Sequence, residues 1–468
     1  MQAILGEEWP LLESALQSAP PVSIRMNQSK HWAAGINMVE LGQWDKEIGR
    51  RKADQSVSAP DAWKIAAVPW CPNAFYLPIR PTFTLDPAFH AGAYYVQEAS
   101  SMFVSEAVRQ TVDLTKSLRV LDLCAAPGGK STLLINLLSD TSLLVSNETI
   151  RARTGSLREN MERWGHPNLA ITSAEVEEFA ALEDWFDVVV ADAPCSGEGL
   201  FRKDPEAVQE WSLPHVDFCA SRQKRILAAA VKSLAPGGVL LFSTCTYNRQ
   251  ENDGNLEWLT KEFPLDLLSL DIPASWGIVT TAQGGYQFYP HHLQGEGFFI
   301  AVFRKKTGNS SRHHPPASFK SLKPLGKSLV PQVEAWLRPD VRARFFQTPT
   351  GEILALPEKL EQEFLMLDKT LKTKWFGVNI GEFKGKDFIP SHALAQSIWV
   401  SPGLSSVSLT EEQALLFLKK ETFEPQESWP KGWVLASYQG LNLGWMKILP
   451  NRMNNYLPQE RRIRMAIY

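Results

Sequence analysis

Two cysteines in this chain stand where a thiol can do chemistry. Cys195 lies in Asp192-Ala193-Pro194-Cys195-Ser196-Gly197-Glu198-Gly199, and Cys245 in Ser243-Thr244-Cys245-Thr246-Tyr247-Asn248. Each segment follows an apolar run that reads as a strand, Phe186 to Ala191 and Val239 to Phe242, and enters a loop of small polar residues. A thiol delivered at a strand's carboxyl end can meet a ligand. Cys71 and Cys219 sit in apolar or helical surroundings and read as core packing, the common fate of a free cysteine.

A third segment converges on the same edge. Arg119-Val120-Leu121-Asp122-Leu123-Cys124-Ala125-Ala126-Pro127-Gly128-Gly129-Lys130-Ser131 reads as a buried strand, a tight glycine turn and a helix start. That order is half of a nucleotide-binding unit. A phosphate loop would need Gly where Cys124 stands, and G-x-G-x-x-G is missing. An adenosine-bearing cofactor without a pyrophosphate remains, and S-adenosyl-L-methionine fits that description. Glu148 ends the second strand, Leu143 to Ser146, where doubly wound folds place the acid that binds ribose hydroxyls. Glu175 follows a third strand, Asn168 to Ser173, within reach of an adenine edge. Cys124 reads as lining for the cofactor turn.

Two thiols and an acid beside a methyl donor suit methylation of a pyrimidine at carbon 5. That carbon is too weak a nucleophile to attack a sulfonium methyl directly, and a thiolate added at carbon 6 turns the ring into an enamine that can. An acid near N3 stabilises the charge that builds during addition, and the target base must leave any helical stack. On chemistry alone either cysteine could be the nucleophile.

The elements that must position these groups alternate as strand and helix from Arg119 to about Arg304, which predicts a mainly parallel sheet covered on both faces. His90 to Met102 reads as the opening of a helix before the central strand, with Gln97 and Ser100 able to face a ligand. A helix is expected from Val216 to Leu234, ended by Pro236-Gly237-Gly238, and Gly295 to Phe303 reads as a last antiparallel strand. At 468 residues the chain exceeds one core, so about three domains are expected. Five cysteines, an odd and widely spaced set without C-x-x-C, argue against a disulfide framework or a structural zinc site. The acidic start lacks a basic region, and no apolar run spans a bilayer, so a cytoplasmic protein without membrane contact is expected. A net charge of −3 argues against a chain coated in nucleic acid but leaves room for local basic surfaces. Arg304, Lys305, Lys306, Arg312, Lys320, Lys323 and Lys327 form one, and Lys447, Arg452, Arg461, Arg462 and Arg464 another. Each reads either as a solvated linker or tail or as a surface that holds nucleic-acid phosphates.

Taken together, Asp122 to Lys130, Asp192 to Gly199 and Ser243 to Tyr247 resemble the Nol/Nop/Sun family of RNA cytosine-5 methyltransferases. Ser23 to Asn27, Val96 to Met102, Gly295 to Phe299, Gly381 to Ala395 and Asn454 to Pro458 extend the resemblance over essentially the whole chain. The later segments resemble the bacterial RsmF-like branch, which methylates small-subunit (16S) ribosomal RNA. The resemblance implies an α/β fold with a Rossmann-like class I methyltransferase core at residues 91–306. It also implies an RNA-orienting α+β domain at 1–90, a basic linker at 307–328, a connecting domain at 329–385 and a PUA-like β-barrel at 386–468. It assigns Cys245 as nucleophile and Cys195 to product release, with Asp192 at the target base and Lys130 ordering the site. The cofactor would be held by Cys124, Ala125, Ala126, Pro127, Gly128, Gly129, Lys130, Glu148, Glu175 and Asp192. The family usually has Asp where Glu175 aligns. Arg202, Lys203 and Asp204 would lie near the RNA. The substrate implied is 16S RNA in the 30S subunit, acted on by a monomer. A transfer-RNA substrate is the alternative within the same chemistry. A non-catalytic ribosome-assembly factor is the alternative outside it, and the intact Cys195, Cys245 and Asp192 argue against that.

Overall fold

A computed structural model describes residues 5–30, 65–311, 313–372 and 374–466. Arg312 of the first basic cluster and residues 1–4 and 31–64 of the expected N-terminal domain lie outside them. The N-terminal sheet contains β1 (Val22–Met26), β2 (Ala66–Val68), β3 (Cys71–Leu77) and β4 (Tyr94–Val96) in the order β2-β3-β1-β4. β4 corrects the helix expected from His90. Tyr94-Tyr95-Val96 is aromatic and β-branched, and it pairs antiparallel with β1, Ile24 opposite Val96. Helix begins only at Val104–Thr111, after a 3-10 turn over Ser100–Phe103.

The central sheet carries the chemistry. Its parallel strands are β5 (Arg119–Asp122), β6 (Leu143–Asn147), β7 (Leu169–Thr172), β8 (Phe186–Asp192) and β9 (Leu234–Thr244). They are joined on one side by β10 (Leu265–Leu267), β11 (Val279–Thr280), β12 (Tyr286–Phe288) and β13 (Phe298–Lys305). The order β9-β8-β5-β6-β7 reverses at β5, so a crevice opens at the carboxyl ends of β5 and β8, where open α/β sheets bind ligands. The long helix runs over Leu213–Ser233, three residues earlier than expected, because Ser212 caps it and Pro214 suits its first turn. β9 follows directly, and Pro236 to Gly238 fall within it beside a register shift opposite Phe186 and Val188. The last strand starts at Phe298, since Gly295 to Gly297 are spent on close backbone approaches described below.

A third sheet contains β14 (Lys323–Pro324), β15 (Ala343–Gln347), β16 (Glu352–Pro357), β18 (Val378–Lys384) and β19 (Asp387–Pro390), all antiparallel. It straddles the boundaries expected after 328 and 385. From the same region β17 (Lys374–Phe376) leaves to pair antiparallel with β7 and so becomes an edge of the central sheet. The last sheet is β20 (Ser406–Ser408), β21 (Gly432–Tyr438), β22 (Leu441–Leu449) and β23 (Arg452–Asn455), with β20 parallel to β21.

The hydrophobic cores cross these sheets. One core joins Val145, Val189 and Phe242 of the central sheet to Leu354, Phe364 and Phe376 of the connecting region. Another joins Ile24, Met26 and Phe75 near the start to Phe417, Val434 and Met446 near the end. The chain's first and last units are therefore buried against each other. Among the described residues no helix is long and apolar enough to cross a membrane.

Candidate active site

The strand ends bring the two sulfurs together. Cys195 Sγ and Cys245 Sγ lie 2.9 Å apart, well beyond the ~2.05 Å of a disulfide, and both thiols are free. The backbone N–H of Cys245 also points at Cys195 Sγ, 3.3 Å away. The contact with Cys245, and then burial, push the Cys195 thiol well above its ordinary range. Cys195 therefore keeps its proton at neutral pH.

Lys130 and Asp192 stand beside the sulfurs. Lys130 Nζ pairs with Asp192 Oδ2 at 2.8 Å, and Ser243 Oγ donates to Asp192 Oδ1 at 2.8 Å. Burial alone would lower the Lys130 ammonium, but Asp192 overrides it and the net shift is upward. Negative charge at Cys245 acts on Lys130 in the same direction.

Buried carboxylates hold the sulfur loops. Glu198, 2% exposed, accepts from Tyr247 N at 3.1 Å, Thr246 Oγ1 at 3.1 Å and Trp211 Nε1 at 2.9 Å. Glu251 accepts from Ser196 N at 3.0 Å and Gln223 Nε2 at 2.8 Å, and burial raises its pKa. Gly199 N donates to Cys245 O at 2.8 Å. A Cβ on Gly199 would lie 2.5 Å from Gly297 O and 2.7 Å from Cys245 O, so three loops meet where only glycine fits. Gly295 is equally confined, since its Cβ would lie 2.2 Å from Ser100 Oγ.

The opposite wall is the turn from Cys124 to Gly129. Ala125 N donates to Asn147 O at 2.8 Å, and Gly128 takes φ +112°, the left-handed region that favours glycine. Arg153 Nη2 donates to Ala126 O at 2.6 Å, and Asn160 Nδ2 to Pro127 O at 2.7 Å. Arg25 fastens the following helix, Gly129–Ile135, through Thr132 Oγ1 at 2.6 Å and Gly129 O at 3.3 Å. Behind the turn Asp122 accepts from Ser131 Oγ at 2.7 Å, and burial pushes its carboxyl up to about 7. Burial also pushes the Cys124 thiol up.

The structure brings Cys195, Cys245, Asp192 and Lys130 together, with the Cys124–Gly129 turn alongside. Glu148 is 4% exposed, accepts from Ile150 N at 2.8 Å and pairs with Arg153 at 3.4 Å. Glu175 is exposed and caps the 3-10 turn Val176–Leu182 in a reciprocal box with Glu178. Gln97 and Ser100 are both engaged within the protein. Gln97 accepts from Arg25 Nε at 2.9 Å, and Ser100 Oγ donates to Glu296 O at 3.0 Å. Arg202 and Lys203 are likewise engaged within the protein, both pairing with Glu296, and the Arg202 side chain is only 5% exposed. Asp204 caps the helix Pro205–Glu210.

The basic clusters divide. Lys305 pairs with Asp184 at 2.8 Å, Lys306 with Asp266 at 3.5 Å, and Arg461 with Glu162 at 2.6 Å, while Lys447 lies over the Trp433 ring. Lys323, Lys327, Arg452, Arg462 and Arg464 are exposed. Sequence reasoning missed Glu198, Glu251, Arg153 and Asn160. A Glu inside the Pro-Cys-Ser-Gly-Glu-Gly loop was the one available signal, because an acid among glycines and small residues needs donors to hold it.

An open sheet with this switch point, and paired thiols facing a glycine turn, make a Rossmann-like fold with a reactive crevice, and comparisons with known proteins assign that fold to an RNA methyltransferase. Family models agree along the chain. The 16S rRNA methyltransferase RsmB/F model matches residues 109–304, the N-terminal domain of 16S rRNA methyltransferase RsmF residues 1–99, and the methyltransferase RsmF PUA domain residues 405–463. Ribosomal RNA small subunit methyltransferase F of Aeromonas salmonicida is 32% identical, with 86% of each chain covered. Its counterpart in Vibrio cholerae is 31% identical, covering 86% of this chain and 87% of its own. A solved methyltransferase homolog protein from Pyrococcus horikoshii matches at 27% identity and TM-score 0.51, covering 64% of this chain and 91% of its own. The chain belongs to the RsmF family of 16S ribosomal RNA methyltransferases.

Proposed function

We propose that this enzyme methylates carbon 5 of cytosine in 16S ribosomal RNA, acting as a monomer on the 30S subunit, with Cys245 as nucleophile and Cys195 assisting release. The observation that carries the reading is the 2.9 Å approach of the two sulfurs beside the Lys130–Asp192 pair. A base placed there meets both thiols at one edge. Cys245, next to the Lys130 ammonium, forms the bond to C6, and Asp192 retains lone pairs with which to hold the polar edge of the ring. Once C5 is methylated, water takes the C5 proton, the electrons of that C–H bond restore the C5–C6 double bond, and the S–C6 bond breaks. Cys195, which keeps its proton, is placed to donate it to the departing Cys245 sulfur. Its assignment to release rests on the family resemblance, and the 2.9 Å approach of the sulfurs supports it.

The residues of the opposite wall fit S-adenosyl-L-methionine. The Cys124–Gly129 turn carries only small side chains or none, so a ligand can reach its backbone. Glu148 is buried yet keeps acceptor capacity beyond Ile150 and Arg153, as a ribose diol requires. Glu148 and Glu175 would hold the nucleoside, with Cys124 to Lys130 and Asp192 closing around the remainder. When bound, the cofactor supplies an electrophilic methyl group. Lys323, Lys327, Arg452, Arg462 and Arg464, all exposed, are available to RNA phosphates.

Cys195→Ala with RNA and cofactor should accumulate a covalent enzyme–RNA adduct visible on a denaturing gel, and Cys245→Ala should not. An adduct that survives loss of Cys245 and vanishes with Cys195 would reverse the roles. Bisulfite sequencing of total RNA from a deletion strain should show a cytosine in 16S RNA that loses its protection. Protection lost only in transfer RNA would overturn the substrate. Comparing free 16S RNA with 30S subunits in vitro tests the last part of the proposal.

A further inference from the structure

Away from the sulfurs, three side chains from distant parts of the chain face one another. Glu8 ends the 3-10 turn Gly6–Glu8, and His291 and His292 lie in the loop between β12 and β13. Glu8 Oε2 is 3.4 Å from His291 Nε2 and 3.3 Å from His292 Nε2, and the ligand atoms of all three lie within 4.8 Å of one another. The two imidazole rings are 4.1 Å apart.

These distances decide between two explanations. A charge-assisted N–H···O bond between histidine and carboxylate runs about 2.7–2.9 Å, so both contacts are long for one. Nitrogen and oxygen ligands about 2.0–2.1 Å from a zinc ion at the tetrahedral angle stand about 3.3–3.4 Å apart. The observed pair of distances matches the edge of that tetrahedron. Access fits as well. The His291 side chain is 3% exposed and forms a fixed wall, whereas His292 and Glu8 are 27% and 52% exposed and open to solvent. The cleft beside them is lined by Tyr247, Arg249, Asp253 and Tyr289.

We propose that Glu8, His291 and His292 bind one divalent cation of the borderline class, zinc foremost, and thereby clamp the N-terminal helical segment to the mouth of the active site. Two imidazoles and one carboxylate suit zinc better than magnesium or calcium, which prefer all-oxygen shells. Three protein ligands leave a fourth position for water or a ligand. The clamp has a purpose in this fold. The helix Trp9–Gln17 buries only Leu12, and Arg202 reaches its end through long contacts of 3.4 Å to Ala15 O and Ser18 Oγ. On the other side Tyr289, which packs on both histidines, stacks on Tyr247 at 5.4 Å, two residues beyond Cys245. A cation there would link the start of the chain to the loop of the proposed nucleophile.

The test is titration of the untagged, chelator-stripped full chain with Co²⁺ alone, followed by its visible absorption. The expected result is one tetrahedral Co²⁺ per chain without thiolate charge transfer. Affinity should fall by at least about tenfold in Glu8→Gln and in His292→Ala. The Cys195→Ser/Cys245→Ser variant should keep it, which separates this site from metal captured by the sulfurs. Zn²⁺ should raise the Tm of the parent and leave that of His292→Ala unmoved. Absence of stoichiometric binding, binding that survives Glu8→Gln or His292→Ala, or binding lost with the cysteines would overturn the proposal.

Discussion

The two walls of the active site are built by different means. On the turn side, Cys124 to Gly129 is fixed through its backbone, with Asn147, Arg153 and Asn160 bonding its peptide groups and Gly128 taking a left-handed φ. On the sulfur side, the loops are held by buried acids, Glu198 and Glu251, and by a glycine contact that no side chain could replace. A wall of backbone contacts tolerates changes of charge better than changes of shape. A wall of buried carboxylates depends on each acid finding its donors, because an unsatisfied buried charge is costly. The turn side should therefore show its substitutions as cofactor affinity, and the sulfur side as lost chemistry or lost fold.

That contrast can be broken at several points. Cys245→Ala is expected to lower methyl transfer by at least about ten-thousand-fold while leaving the circular dichroism spectrum unchanged. A radiolabelled-methyl assay reads it, and substantial residual turnover would remove the covalent step. Next comes Asp122. Its carboxyl is raised from 3.8 to about 7 by burial, so the folded chain keeps a proton that the unfolded chain releases. This contribution is complete below about pH 4 and is lost as pH rises through about 7, on the order of 4 kcal/mol. Urea unfolding of wild type and Asp122→Asn across that window should show the flatter pH profile in the variant. Gly199→Ala should destabilise by about 3 kcal/mol, because two carbonyl oxygens must move. Thermal unfolding would reveal it, and an unchanged Tm would mean the loops are looser than their contacts imply. Glu148→Gln should raise the KM for cofactor about tenfold with little change in kcat, equivalent to about 1.4 kcal/mol. The smallest effect belongs to Glu175→Ala, with about 1 kcal/mol lost from its cap and a KM raised about threefold. An unmoved KM would leave Glu175 as a cap only.

Much of this arrangement was legible in the residues. Strands that end in Asp122, Asp192 and Thr244 could be read from apolar runs and their turns, and the convergence of Cys195, Cys245 and the glycine turn followed from the alternating order. Tyr94–Val96 was misread because its neighbours suggest a helix start, and only pairing with β1 makes it a strand. Arg202 is expected near the RNA from the resemblance, and its burial is hidden because a buried arginine is indistinguishable in sequence from an exposed one. Its partner Glu296 lies far along the chain. Lys305 and Arg461 misled for the same reason. The adjacent histidines 291 and 292 were visible, but their carboxylate stands near the chain's start, and no local spacing links them. The fusion of first and last units into one core was equally hidden, since hydrophobic periodicity shows which face is buried and not what buries it.

One strand has a consequence for how the enzyme is made. β17 closes the β7 edge of the catalytic sheet, yet it is encoded far downstream, after β14, β15 and β16. During synthesis Leu169–Thr172 leaves the ribosome with one row of backbone N–H and C=O groups unpaired, and it stays so until Lys374–Phe376 follows. An open apolar edge is a template for pairing with another chain. A catalytic fragment cut after residue 306 would retain the cysteine and glycine-turn motifs and still carry this exposed edge, so it should self-associate more readily than the full chain. Cover for the edge of the catalytic sheet is thus supplied by a strand encoded outside the catalytic unit.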